Sequence, residues 1–218
     1  NASSDETSSV ARAYKDEKKL EKLTVIRNEK NLHYGGTKKK AFKYSIEKGY
    51  DIFVMVHADG QYPPEQIPEM INPIKSGEAD LVIGSRTNER EGGMVMWKLL
   101  GNKILTLTEN LFLGMSLHEF HSGYKAYNLH ALAKVPFGLC SNDHAISSET
   151  IIQFKLKGLK IREVLMPTSY DGDFSQCSVG TSFRYGFDVF VMLLQYLFVR
   201  LGVGMPKKFA LAKRRVEI

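Results

Sequence analysis

The chain has 218 residues, of which 43% are hydrophobic, 25% charged and 11% aromatic, which excludes a disordered, collagenous or disulfide-scaffold protein and leaves room for one large domain. Thirty Lys and Arg against 24 Asp and Glu give a formal charge of +6, which suits a phosphate-bearing ligand or an anionic membrane surface and demands no nucleic acid. Cys140 and Cys177 fit no C-x-x-C spacing, so a zinc cage is excluded and reduced thiols of a cytosolic protein are expected.

Asn1 to Asp16 is polar throughout and lacks the apolar core of a signal peptide. Ser4 or Asp5 can cap a helix that runs to about Leu20. Leu23 to Ile26 reads as a short buried strand. Gly35 and Gly36 precede a second helix to about Lys48, with Ala41, Phe42, Ser45 and Ile46 on its inward face and Gly49 at its end. Ile52 to Val56 is an unbroken apolar run, the pattern of a strand buried on both faces. Pro63 and Pro64 open a helix carrying Ile67, Met70, Ile71 and Ile74 at helical spacing, and Gly77 closes it. Ala79 to Ile83 supplies another buried strand, so residues 21–83 predict a parallel β-α-β-α-β series. Beyond a loop at Gly92 and Gly93, helices are expected over Met96 to Leu113 and Ile146 to Lys157, with a strand over Ile161 to Met166. Short apolar runs alternating with amphipathic ones define the fold class as α/β, a mostly parallel sheet flanked by helices.

In such sheets the ligand crevice lies beyond the carboxyl ends of the strands. Three segments stand there. HADGQYPPE follows Ile52 to Val56 and puts His57, Asp59 and Gln61 at alternate positions, where they can converge on Mg²⁺ or Mn²⁺ shared with a ligand's phosphates. An Asp-capped turn is the plainer reading of the same residues. GSR follows Ala79 to Ile83 and ends in Arg86, either a bidentate phosphate ligand or a surface arginine. RNEKNLHYGGTKKK follows Leu23 to Ile26; its two glycines open a helix whose amides can face an anion, and Lys38 to Lys40 reads as a solvated face.

Together these segments resemble glycosyltransferase family 2, the inverting GT-A nucleotide-sugar transferases, and within it the polyprenyl-phosphate sugar transferases typified by dolichyl-phosphate mannose synthase. NASSDET resembles a DDxSxDxT pattern with Asp5 and Thr7 in place, NLHYGG the N-x-G-x-G helix opening, and HADGQYPPE the family's DADxQxPPE. ADLVIGSR is close to the family wording, HEFHSGYKAY resembles D-x-x-S-G-[FY]-[RK]-A, and SSETIIQFKLKGLKIREVLMPTSY resembles the closing E-V-P element. The likeness covers about residues 1–178 and marks them as the catalytic domain, with 179–218 as a tail.

The resemblance implies a metal-dependent transfer from a UDP- or GDP-sugar. It assigns Asp5, Asn31, Gly35, Gly36, His57, Asp59 and Gln61 to the donor, His57, Asp59 and Gln61 to the metal, and Arg86 to the acceptor phosphate. Arg90, Lys98 and Lys103 are candidates for a second acceptor contact. His57 stands where the family has its first Asp, which makes Mn²⁺ more comfortable than Mg²⁺; Glu119 stands near a usual Asp, and His121 beside Ser122. The family's opening strand, its P-x-[YF]-N-E segment and first acidic pair are expected to lie before Asn1, so the chain reads as part of something longer. A sugar hydroxyl acceptor needs a carboxylate base, whereas a lipid monophosphate is already anionic. The hydroxyl-using relatives keep an E-D pair where this chain has Ser147, Ser148 and Glu149, so a polyprenyl phosphate is favoured, with Glu149 as the fallback base or else a buried or capping residue.

Phe187 to Val203 is apolar, but its longest uncharged run is shorter than the roughly 20 residues a span requires. With Lys207, Lys208, Lys213, Arg214 and Arg215 behind it, it suits an anionic leaflet at the cytosolic face, or else a core or homo-oligomer interface helix. The competing functions are a non-catalytic binding protein of the same fold and a sugar nucleotidyltransferase; the latter lacks its glycine-rich, lysine-bearing signature here.

Overall fold

The computed structural model describes residues 1–86, 96–166, 179–203 and 206–213. In chain order these form α1 (Thr7–Glu17), α2 (His33–Glu47), β1 (Ile52–Met55), α3 (Ile67–Lys75), β2 (Leu81–Arg86), α4 (Met96–Leu113), β3 (Lys125–Asn128), α5 (Leu129–Leu132), α6 (Ile146–Lys157), β4 (Ile161–Met166), α7 (Val179–Arg200) and α8 (Lys207–Lys213). Helices α4 and α6 and strand β4 fall on the bounds read from the sequence.

The sheet differs from the expected parallel series. Its order is β1-β3-β2-β4; β3 pairs antiparallel with both β1 and β2, and only β2 and β4 pair in parallel. Among the described residues Leu23 to Ile26 joins no strand: Leu23 and Ile26 are exposed, and no ladder takes up their backbone groups. Strand β3 carries no clear sequence signal, because it is four residues long and opens on Lys125, a lysine that only the fold buries. β1 is an edge strand, so its residues are half-buried rather than covered on both faces.

Alternation along the strands builds two layers. Leu81 and Ile83 of β2 and Tyr127 of β3 face the larger core with Phe42, Phe154 and α7, while Val82 and Ala126 face the smaller one with Met70, Ile74 and Met166. Because β3 runs opposite to β1 and β2, its preceding segment, Glu119 to Tyr124, arrives at the edge where β1 and β2 end. That single reversal assembles the site.

The tail is woven into the larger core. Val189, Met192, Leu193, Tyr196 and Val199 of α7 and Phe209 of α8 are buried in it. By length and composition Ser182–Arg200 is apolar enough to cross a membrane. It nonetheless lies along the domain, since Tyr185 binds core groups near one end, while Lys213 Nζ donates to the carbonyls of Val199 (2.9 Å) and Arg200 (3.3 Å) at the other. The division expected at residue 178 falls outside the described residues, as do Gly92, Gly93, Cys177, Arg214 and Arg215.

Candidate active site

The loop after β1 forms one wall. Asp59 Oδ1 accepts the Gln61 amide at 3.1 Å, a turn held by the carboxylate, and Oδ2 lies 3.8 Å from His57 Nδ1. Burial depresses the His57 pKa, Lys38, Lys125 and His144 push the same way, and Asp59 opposes them, so the ring is neutral at neutral pH. A neutral imidazole is a ligand. The ring stands edge-on to Tyr34 at 5.9 Å and to Tyr62 at 6.3 Å. Gly123 backs it: a Cβ there would fall 2.8 Å from Nε2, so any side chain would push the ring from its place.

β2 ends in the second wall. Arg86 Nε donates to Glu119 Oε2 at 2.8 Å, its Nη2 pairs with Glu119 Oε1, and its amide donates to Oε2 at 3.3 Å. Side-chain exposures of 9% for Arg86 and 4% for Glu119 make this a buried, two-pronged ion pair and not the surface arginine of the plainer reading. Glu163 of β4 holds the approach to Glu119, accepting the amides of His118 (2.8 Å) and Glu119 (3.1 Å) and meeting His118 Nδ1 at 2.7 Å.

The first turn of α2 forms the third wall, with a correction. Gly35 and Gly36 lie inside the helix, and both amides donate to the Asn142 carbonyl, at 2.6 and 3.1 Å, instead of facing an anion. A Cβ on Gly35 would meet the Asn142 carbonyl carbon and Asp143 oxygen at 2.7 Å. Gly35→Ala is therefore expected to lower stability by about 1–3 kcal/mol, readable from urea unfolding. Lys38 is not part of a solvated face. It is buried, donates to the Tyr127 hydroxyl at 2.9 Å and sits over the rings of Tyr127 and Phe42, and burial drives its pKa well down.

Asp5 and Asn31 make local turns, Asp5 accepting from Thr7 N and Oγ1 and Asn31 accepting the His33 amide at 2.8 Å. Neither has a bond to the Asp59 loop. Glu149 is 3% exposed; its carboxylate accepts the Ser141 amide at 2.5 Å and pairs with Lys208 at 2.6 Å, which ties α8 to α6. That is the buried structural residue, not a base facing the crevice. Lys103 is exposed on α4, while Arg90 and the side chain of Lys98 lie outside the described residues. Among the described residues no three His, Cys, Asp or Glu side chains converge on a common ion position.

Lys125 is buried against the carbonyls of Phe120 (3.0 Å) and Ser122, and burial brings its pKa down to about 7, with Arg86 adding to the shift and Glu109 opposing it. Between that value and the ordinary 10.5 the unfolded chain binds more protons at this lysine, so Lys125 makes stability rise with pH from 7; Cys140, held protonated by burial, opposes that rise above its ordinary 9.0. Lys38 contributes with the same sign. Stability from urea unfolding is expected to climb between pH 7 and 9, Lys125 contributing roughly 2 kcal/mol of the rise, and Lys125→Met removes its part of the slope.

A mixed α/β sheet flanked by helices, with an acidic loop beyond β1 and a buried arginine at the end of β2, has the GT-A fold. The chain belongs to glycosyl transferase family 2, whose sequence profile matches residues 1–135. It is 33% identical over 175 residues to a UDP-N-acetylglucosamine–dolichyl-phosphate N-acetylglucosaminyltransferase of Methanococcus voltae, covering 79% of this chain and 69% of that one. It is 30% identical over 122 residues to the polyprenol monophosphomannose synthase of Mycolicibacterium smegmatis, covering 53% and 44% respectively. Glucosyl-3-phosphoglycerate synthase from Mycobacterium tuberculosis, solved with Mn²⁺, UDP-glucose and phosphoglyceric acid, shares the fold with a TM-score of 0.57 at 19% identity. That match takes in 92% of this chain but 66% of the solved one.

Proposed function

We propose that the protein transfers a sugar, with inversion, from a UDP- or GDP-sugar to a polyprenyl phosphate, with Mg²⁺ or Mn²⁺ held between Asp59 and the donor's diphosphate. The observation that carries this is the meeting of the Asp59 loop and the Arg86–Glu119 pair at one sheet edge. When bound, the cation neutralises charge on the leaving diphosphate. A site with one carboxylate and a neutral imidazole suits a cation that takes its other ligands from phosphate and water. An acceptor phosphate oxygen attacks the anomeric carbon, a new C–O bond forms, and the nucleoside diphosphate leaves with the electron pair of the bond that breaks. No proton need be removed, which fits a crevice in which Glu149 is already committed to Lys208. Arg86, held rigid by Glu119, supplies positive charge for the acceptor phosphate, with Lys103 on α4 as a second candidate.

The molecule's surface supports a lipid acceptor. Leu100, Ile104, Leu107 and Leu111 form an exposed stripe on α4, and Phe183, Phe187, Phe190 and Leu194 another on α7, which packs beside α4. Lys103, Arg184, Arg200 and Lys207 flank them, matching an anionic leaflet. Deleting the tail would open the core, so single charges are the better probe: Leu107→Glu and Phe187→Glu are each expected to release the protein from sedimenting anionic vesicles. If both variants sediment like the parent, or if the parent stays in the supernatant as a dimer, the face is not a membrane seat.

The reaction itself is tested by incubating radiolabelled UDP- and GDP-sugars with Mn²⁺ and either polyprenyl phosphate or the free polyprenol. Label should enter lipid only with the phosphate, and chelation should abolish it. Equal labelling of the polyprenol would replace this reading with a hydroxyl-acceptor transferase.

A further inference from the structure

Outside the Asp59 loop, four polar groups from four parts of the chain form one buried series. Glu109 Oε2 of α4 lies 3.1 Å from His121 Nε2; His121 Nδ1 lies 3.1 Å from the Tyr185 hydroxyl of α7, and that hydroxyl lies 3.2 Å from Ser148 Oγ of α6. Glu109 and Ser148 are each 1% exposed. Burial, chiefly, raises the Tyr185 pKa, so the phenol keeps its proton. The His121 ring is hydrogen-bonded at Nδ1 by the Tyr185 hydroxyl, while Nε2 faces the Glu109 carboxylate without a formed hydrogen bond, so Tyr185 is the group that fixes its orientation. The residues that follow His121 are the ones that abut the site. Ser122 Oγ and the Gly123 amide both donate to the Tyr62 hydroxyl at 3.3 Å, and Gly123 lies against the His57 ring.

We propose that Tyr185 is a positioning residue: through His121 it sets the Ser122–Gly123 corner against His57, and so ties the tail helix α7 to the loop that carries Asp59. Its consequence for turnover rests on the transferase function proposed above, whereas the link is a property of the free protein. Nothing in the sequence motifs marks Tyr185, which stands 64 residues from His121. It also sits on the helix whose opposite face carries the exposed Phe183 and Phe187, so whatever occupies that face shares a rigid element with the site.

The link is read in the ligand-free full chain from ¹H–¹³C spectra of the histidine rings at one pH, with the His57 signal assigned by its loss in His57→Gln. Tyr185→Phe keeps the ring's packing and removes only the hydroxyl; it is expected to move the His121 and His57 signals, while Leu194→Ala on the outer face of α7 moves neither. Turnover should fall about two- to thirtyfold in Tyr185→Phe and in His121→Gln, and no further in the double variant. A His57 signal that stays in place while that of His121 moves overturns the proposal, as does a double variant whose loss is the product of the single losses. Should Tyr185→Phe fail to fold, Ser148→Ala loosens the same phenol from its other side and is read by the same signals. If the signals move as expected but the parent transfers no sugar, the proposed function falls and the link stands.

Discussion

Asp59→Asn is expected to abolish metal-dependent donor binding and to lower turnover by about 10²- to 10⁴-fold while leaving the fold intact. A cation bridging enzyme and diphosphate is worth several kcal/mol in such a transfer, and each 1.4 kcal/mol is about a factor of ten in rate. The fold survives because the structural duty of Asp59 is to accept the Gln61 amide at 3.1 Å, which an asparagine carbonyl does equally well. The substitution therefore removes charge and keeps the turn. Calorimetric titration of UDP- and GDP-sugars with Mn²⁺, set beside thermal unfolding of the same samples, separates the two. Parent-like affinity in the variant would remove Asp59 from the donor site.

Arg86→Ala is expected to act first on stability. It strands Glu119 at 4% exposure without its guanidinium, and losing one partner of a buried pair typically costs about 3–5 kcal/mol. A loss of activity in this variant would by itself say little about the acceptor. The informative protein is Arg86→Ala/Glu119→Gln, in which the orphaned charge is gone and most of the stability should return. If Arg86 serves the acceptor phosphate, the double variant binds nucleotide sugar like the parent and turns over polyprenyl phosphate about ten- to a hundredfold more slowly, the worth of one charge-assisted contact of roughly 1.5–3 kcal/mol. Recovery of full turnover would leave Arg86 with a purely structural task. A change confined to the donor's KM would move it to the diphosphate.

Several functional details were beyond local reading. Lys38 looked like one of three solvated lysines until the fold put it against Tyr127, and the glycine pair looked like an anion cradle until Asn142 occupied both amides. Glu119 and Arg86 are 33 residues apart and carry no joint signature. Glu149 could be read as a base or as a buried residue, and Lys208 decided it.

The sequence by itself determined the helices α4 and α6, the strand β4, the Asp59 loop beyond β1 and the family resemblance. Each rests on spacing or wording within one short stretch, where periodicity and turn chemistry act over a few residues. Only the tertiary structure decided that β3 runs against its neighbours, that Leu23 to Ile26 joins no sheet among the described residues, and that α7 belongs to the core. The physical reason is that strand pairing and the burial of a charged group depend on partners tens of residues away. A lysine in β3 or an arginine at the end of β2 is the same residue in the sequence whether water or a carboxylate faces it.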